Sequence, residues 1–323
     1  MAEPSASDWY VEHGIGESRA LLTSNNGRIL AAKLLWPDEL FAGQVIEARL
    51  TSKHSGKRRG TAETNKGAQI LVDHLPPDIT EGQQVTVSIT RAPIAEKGRN
   101  KLTQGRVVPS DTQAREWIDD AKVVREFASG CWEDIWEAAS TGVVEFTGGS
   151  LTFSVTPAMT LIDVDGDGSP RELALAAIPV IANWLPLFDL GGNIGIDFPT
   201  LQAKADRRTV DEALEEALAD WPHERTAMNG FGFVQIVARL EGPSLLHRFA
   251  TSRTGMCARY AMRVADLCDF EPGVTLLTVH PALKAKIKPE WLDELRRRTG
   301  RDVRVETDPG LALEAPHAQI VSQ

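Results

Sequence analysis

Two short apolar runs, each ending in an aspartate, constrain this chain more than any other feature. The first is Thr160-Leu161-Ile162-Asp163 and the second is Ile194-Gly195-Ile196-Asp197-Phe198. Between them lies a helical stretch, with apolar residues at Ile178, Ile181, Ala182 and Leu185 and a distortion expected at Pro179. A parallel strand pair needs a crossover of a dozen or more residues, usually a helix. In α/β sheets, ligands collect at the carboxyl ends of the strands. If the two strands pair in parallel, Asp163 and Asp197 can converge on one hard cation. Mg²⁺ fits such a site, being held by one or two carboxylates plus water and substrate phosphate. In the plainer reading, each aspartate is a turn former or a helix N-cap.

The same region invites a calcium reading. Asp163, Asp165, Asp167 and Gly168 occupy positions 1, 3, 5 and 6 of a twelve-residue calcium loop. Position 12 is Ala174 where a bidentate Glu is needed, and the residues before Asp163 alternate like a strand. An EF-hand is therefore disfavoured. A calcium turn of another kind stays open, although no internal repeat supports a propeller.

A chain of 323 residues with 42% hydrophobic and 25% charged residues is long enough for about two domains. Its net charge of −10 excludes a uniformly basic nucleic-acid binder but not a local basic patch. Cys131, Cys257 and Cys268 are too few and too scattered for a disulfide framework, and no C-x-x-C pair offers a zinc knuckle. The first residues lack a basic and apolar leader, and the apolar run 173–188 is broken by Pro179, Asn183 and Pro186. These features give the expectation of a soluble protein of the cytoplasm without a membrane partner.

The charge is unevenly spread. Residues 45–106 hold eleven Lys and Arg against six Asp and Glu. Nine of the cations fall into two groups: Lys53, Lys57, Arg58, Arg59 and Lys66, then Lys97, Arg99, Lys101 and Arg106. Alternating apolar runs at 69–72 and 85–89 lie between turn residues such as Gly56, Gly60, Gly67, Pro76-Pro77 and Gly82. This spacing predicts a small β-barrel of OB type, whose basic loops could track nucleic-acid phosphates. It could equally be a solvated basic surface. No Phe, Tyr or Trp occurs between Phe41 and Arg106, so bases would find no stacking surface there.

The remainder reads as mixed α/β. Helical periodicity spans 113–141 with a break near Gly130. Strands are expected at 143–146, 151–155, 159–164, 194–198, 231–237, 274–279, 302–306 and 318–321. Gly191-Gly192 should close the helix after Leu185. Helices are also expected behind a Thr209–Glu212 capping box, over 256–268, and over 289–299 before Gly300. The fold class is thus α+β or α/β. Residues 1–108 supply N-terminal strands and an OB-like barrel, and 109–323 a mixed α/β domain.

Longer motifs carry a resemblance. Ala158-Met159-Thr160-Leu161-Ile162-Asp163-Val164-Asp165 and Asp189-Leu190-Gly191-Gly192-Asn193-Ile194-Gly195-Ile196-Asp197-Phe198 resemble the catalytic core of the ribonuclease E/G family. Gly148-Gly149-Ser150, Phe231-Gly232-Phe233-Val234-Gln235-Ile236 and Pro243-Ser244-Leu245 resemble its flanking segments, and 85–106 the close of its RNA-binding OB domain. The resemblance implies an endoribonuclease that cleaves single-stranded RNA with Mg²⁺, leaving 5′-phosphate and 3′-hydroxyl ends. It makes Asp163 and Asp197 the metal-binding carboxylates. Asp165 joins them as a catalytic candidate. Lys53, Lys57, Arg58, Arg59, Lys66, Lys97, Arg99 and Lys101 become the RNA-binding candidates.

The departures matter. The family's Asn two residues after the first aspartate is Asp165 here. An amide donates a hydrogen bond to phosphate, whereas an ionised carboxylate only accepts. The family's Glu in the downstream strand is Gln235, and an Arg found in some members is Gly230. The Cys-Pro-x-Cys zinc link is missing, so neither structural zinc nor a zinc-linked dimer is expected. The stretch that holds a 5′-monophosphate sensor in the family is reduced to about 111–141. A catalytically weakened RNA-binding regulator is the alternative reading.

Overall fold

The computed structural model describes residues 7–54, 57–96, 98–268 and 272–322. The chain opens with three antiparallel strands, β1 (Ser7–His13), β2 (Ser18–Ser24) and β3 (Ile29–Leu35). Next come β4 (Val45–Lys53), β5 (Arg59–Glu63), β6 (Gln69–Asp73) and β7 (Gln84–Arg91). A hairpin of β8 (Ile94–Glu96) and β9 (Arg99–Lys101) follows, then β10 (Thr103–Val107). Strands β4, β5, β6, β10 and β7 close into a five-stranded barrel in that order. All its neighbours are antiparallel except β6 and β10. This closed barrel is compatible with the OB-like domain expected from the turn spacing.

The barrel is filled by aliphatic side chains. Alternate residues point inward, among them Ala48 and Leu50 on β4, Ile70 and Val72 on β6, and Val85, Val87 and Ile89 on β7. This set forms its own buried cluster with Ala62 and Leu75, separate from the core of the rest of the chain.

Beyond the barrel, β11 (Lys122–Val124) returns to pair in parallel with β1, completing a four-stranded sheet. Helix α1 (Cys131–Thr141) follows. The expected helical run over 113–141 is therefore only its second part. Gly130 takes a left-handed φ of 86° at the helix start, and the residues before it serve the β1 edge instead. Buried Trp132 and Trp136 anchor α1 in the core.

A six-stranded sheet holds the strand-end aspartates. Its members are β12 (Val143–Phe146), β13 (Gly149–Val155), β14 (Thr160–Gly166), β15 (Gly192–Asp197), β16 (His223–Arg225) and β17 (Phe233–Ala238). The spatial order is β12-β13-β14-β15-β17-β16. Helix α2 (Pro170–Leu187) crosses from β14 to β15, and those two strands pair in parallel. Ser169 caps α2: its hydroxyl accepts from the Glu172 N–H at 3.3 Å and donates to the Glu172 carboxylate at 2.6 Å. A strand, a turn and a capped helix replace the helix–loop–helix that an EF-hand requires, and Ala174 is wholly buried. The helix ends at Phe188, with Asp189 rather than glycine in the first left-handed position at φ 52°.

Helix α3 (Lys204–Ala217) begins earlier than the expected capping box. Thr209 lies inside it, bonded to the Ala205 carbonyl, and Glu212 pairs with Arg208. Helix α4 (Leu245–Asp266) is longer than its apolar periodicity shows, with a break at Ser252. The C-terminal part comprises β18 (Val274–Val279), α5 (Pro281–Lys284), α6 (Pro289–Thr299), β19 (Asp302–Thr307) and β20 (His317–Val321). These strands form a small sheet in the order β19-β18-β20.

Packing does not follow chain order. Leu21, Ala32 and Leu34 of the N-terminal sheet, with Ile15 of its first turn, belong to the same buried cluster as α1, α2, α4 and the six-stranded sheet. Ions reinforce that union. Buried Arg19 pairs with Glu12 and Glu17 at 2.6 Å each, while Arg263 of α4 reaches Glu12 at 3.0 Å and also pairs with Glu133 of α1. The Phe127 N–H donates to Glu12 as well. Burial alone would raise the Glu12 pKa, but the two guanidiniums outweigh it and hold the carboxyl below its usual value. No helix among the described residues is long and apolar enough to cross a membrane.

Candidate active site: paired carboxylates on an open sheet face

One face of the six-stranded sheet is core and the other is open. Ile162 and Val164 of β14, Ile194 and Ile196 of β15, and Val234 and Ile236 of β17 are buried. Alternation along each strand sends Leu161, Asp163 and Asp165 to the opposite face, together with Asn193, Gly195 and Asp197 and with Phe233, Gln235 and Val237.

On that open face Asp163 and Asp197 are direct cross-strand partners in the parallel register. Neighbouring strands lie about 4.8 Å apart. Both residues are exposed, and neither makes a side-chain hydrogen bond or ion pair among the described residues. Like charges directly opposite each other destabilise a strand pair. Two adjacent carboxylates without compensation are the donor set a hard divalent cation takes, with its remaining positions left to water or phosphate oxygens.

Asp165 lies farther along the same face of β14, beside Ser150, and accepts from its neighbour Gly166 N–H at 2.9 Å. No group of three or more His, Cys, Asp or Glu gathers as a metal cage among the described residues. Asp165 is thus near the pair without joining it in a three-carboxylate cluster.

The surroundings of the pair are built by small residues. Gly195 lies beside Gln235 in register, and a Cβ there would overlap Cζ of Phe233, so the Phe233 ring rests over the glycine. Gly232 has φ 92°, and a Cβ on it would meet the Phe198 carbonyl oxygen at 2.5 Å. The Phe198 N–H in turn donates to the Gly232 carbonyl at 3.2 Å, tying the turn before β17 to the end of β15.

The basic barrel residues are mostly engaged. The Lys53 ammonium donates to the carbonyls of Pro77 and Ile79 at 2.8 Å and reaches that of Pro76 at 3.5 Å. Arg58 donates to the Leu75 carbonyl at 3.0 Å. Arg59 pairs with Asp73 at 2.5 Å, Lys66 with Asp38 at 2.6 Å, and Lys101 with Glu96 at 2.5 Å. Lys57 is exposed and has no side-chain partner among the described residues. Lys97 and the side chain of Arg99 lie outside the described residues.

A second cationic group was not legible as a group in the sequence. Arg106 of β10, Arg115 and Arg239 line a groove with Ser88, Thr90, Thr112 and Gln113, where the barrel meets the α/β body. Arg106 and Arg115 have no hydrogen-bond or ion-pair partner among the described residues. Three separate chain segments supply these arginines, so only the fold unites them. The groove lies toward the Gly191 end of β15, since a Cβ on Gly191 would overlap the Arg239 carbonyl oxygen. Asp197 occupies the other end of that strand, about 17 Å away at 3.3 Å per residue.

Other polar and reactive groups have structural roles. His280 caps α5 by accepting from the Ala282 N–H at 3.1 Å. The Arg296-Arg297-Arg298 run is tied to Asp293, Glu294 and Asp266. Cys257 is buried beside Glu314, and burial together with that carboxylate pushes its thiol up to about 12.

Ribonuclease G of Escherichia coli (strain K12) and Ribonuclease G of Salmonella typhimurium (strain SL1344) are each 26% identical to the chain over 191 residues, covering 50% of this chain and 39% of the relative. The chain thus spans about two fifths of the length of these curated relatives. Residues 104–239 match the Ribonuclease E/G family, a span that includes β14, α2, β15 and both carboxylates.

Proposed function

We propose that this protein is a metal-dependent endoribonuclease of single-stranded RNA, with Asp163 and Asp197 as the cation-holding pair. The observation that carries the reading is their placement as uncompensated neighbours on the open sheet face. The family match and the name Ribonuclease G of the similar proteins support the substrate class. A Mg²⁺ ion held there would supply Lewis-acid polarisation of a phosphoryl oxygen, with 5′-phosphate and 3′-hydroxyl ends as the products.

The chain's own residues bind and orient the strand. Arg106 and Arg115 offer free guanidiniums to phosphates at the barrel junction, and Lys57 offers an unpaired ammonium on the barrel surface. The barrel, residues 45–107, is then the gripping unit, and the N-terminal sheet works with the α/β body that shares its core. An RNA reaching from the junction groove to the carboxylates runs past Asn193 and Gln235, whose amides can bond its backbone.

One observation favours a second reading. Asp165 presents an exposed carboxylate on the same face, which cannot donate to a phosphate and adds negative charge where RNA would lie. A weakened, RNA-binding regulator would result. Both readings are tested by incubating end-labelled single-stranded RNA with the wild type, Asp163→Asn and Asp197→Asn, in Mg²⁺ or in EDTA. Cleavage by the wild type in Mg²⁺ alone, lost in both variants, supports the nuclease. Binding without cleavage in any condition supports the regulator.

A further inference from the structure

Phe231 is 80% exposed and is the only aromatic among the large, exposed hydrophobic side chains of the described residues. The sequence places it at the head of a strand, but β17 begins only at Phe233. Phe231 sits instead in a tight turn. The Asn229 carboxamide oxygen accepts from the N–H groups of Phe231 at 2.8 Å and Phe233 at 3.1 Å, and the Asn229 N–H donates to the Phe233 carbonyl at 3.1 Å. Gly232, with its left-handed φ, seats this turn against Phe198. A firmly bonded turn therefore projects a bare aromatic ring into water.

Its position gives the ring a purpose. Phe233 is the cross-strand partner of Asp197, and Gly232 is bonded to the next residue, Phe198. Phe231 thus stands just past the carboxylate end of β15, while the arginine groove lies at the other end of the same strand. The barrel carries no aromatic residue. A single-stranded RNA held there by charge alone would be gripped on one side of the pair only.

We propose that Phe231 is a base-stacking platform that holds an unpaired nucleobase next to the carboxylate pair, positioning the strand across it. Resting on the nuclease reading, it adds a positioning residue on the side away from the barrel. Every base has a π-face, so such stacking is tolerant of sequence. Stacking costs the ring its rotamer freedom but needs no ordering of the backbone, because its turn is already bonded.

The test compares two decamers of equal charge: an unstructured RNA of mixed sequence and the same backbone with abasic residues. Affinities are measured in EDTA, so that binding is read without cleavage, for the wild type, Phe231→Ala, Phe231→Leu and Phe231→Trp. Thermal unfolding confirms that each variant folds. The wild type should prefer the base-bearing strand. Phe231→Ala and Phe231→Leu should weaken that strand roughly tenfold while leaving the abasic one unchanged, and Phe231→Trp should restore the preference. In Mg²⁺ the Ala variant should raise KM more than it lowers kcat. A wild-type preference retained by Phe231→Ala, or equal weakening of both strands, overturns the platform. If the wild type still cleaves RNA, the nuclease reading survives that result; a wild type that neither binds nor cleaves RNA overturns both.

Discussion

The barrel and the open sheet face treat charge in opposite ways. The barrel is rich in cations, yet most of those visible are spent on the protein itself: Lys53 on three carbonyls, Arg58 on Leu75, and Arg59, Lys66 and Lys101 on carboxylates. The sheet face is poorer in charge, yet its two central carboxylates are side by side and unpaired. A charge neutralised within the fold contributes to stability or rigidity, and a charge left bare is available to a ligand. Composition counts both kinds alike, so the strongest compositional signal in this chain is a weaker pointer to function than one register pair.

The largest effect that would break this contrast concerns the sheet. Losing one of two cation ligands removes several kcal/mol of transition-state charge stabilisation, so Asp163→Asn or Asp197→Asn should slow cleavage by on the order of 10²–10³-fold. The fold should be retained, because both side chains are exposed. Gel-based initial rates with circular dichroism check this, and near-wild-type rates in either variant would place the chemistry elsewhere.

A buried counter-example sharpens the point. Glu12 is neutralised by Arg19 and Arg263 inside the core, so its removal acts on stability alone. Glu12→Ala leaves two buried guanidiniums short of a partner and should destabilise by about 3–5 kcal/mol in denaturant unfolding. Because the folded pKa of Glu12 lies below the ordinary 4.5, its contribution is fully present above that pH and fades as pH falls through the lower folded value. Wild-type stability should therefore drop in acid below pH 4.5 more steeply than that of Glu12→Ala. Parallel acid profiles would show that the carboxylate is not held by its arginines.

Smaller effects separate the barrel's cations from one another. Lys53→Ala should lower stability by about 1 kcal/mol while leaving the salt dependence of RNA binding unchanged, since its ammonium is held by backbone carbonyls. Lys57→Ala or Arg106→Ala should leave stability unchanged and flatten the log–log salt slope by roughly 0.7 for each phosphate no longer neutralised. The reverse pattern would mean that internal pairing does not decide which cations meet RNA.

What could be read from the sequence was local. The strand–helix–strand unit around Asp163 and Asp197 declares itself because its periodicity and its aspartates lie within 40 consecutive residues. The barrel declares itself through regularly spaced turns. What stayed hidden depends on distant segments meeting. The pairing of β1 with β11 across the whole barrel puts the N-terminal sheet into the core of the α/β body, and no local pattern carries that. Helical periodicity before Gly130 lost to this edge pairing, and the Thr209 cap lost to a helix that had already begun at Lys204. Phe231 was hidden differently: in Phe231-Gly232-Phe233 the alternation looks like strand, whereas the positive φ of Gly232 ends the strand there and turns the first ring outward.

The most direct test of the bare carboxylate pair counts bound cations. Mn²⁺ accepts the same hard oxygen ligands as Mg²⁺ and is visible by electron paramagnetic resonance when free. Titrated into the wild type, Asp163→Asn and Asp197→Asn without RNA, it should show one site in the wild type that is lost or strongly weakened in both variants. Identical isotherms for all three proteins would contradict the claim that these two neighbours form a cation site.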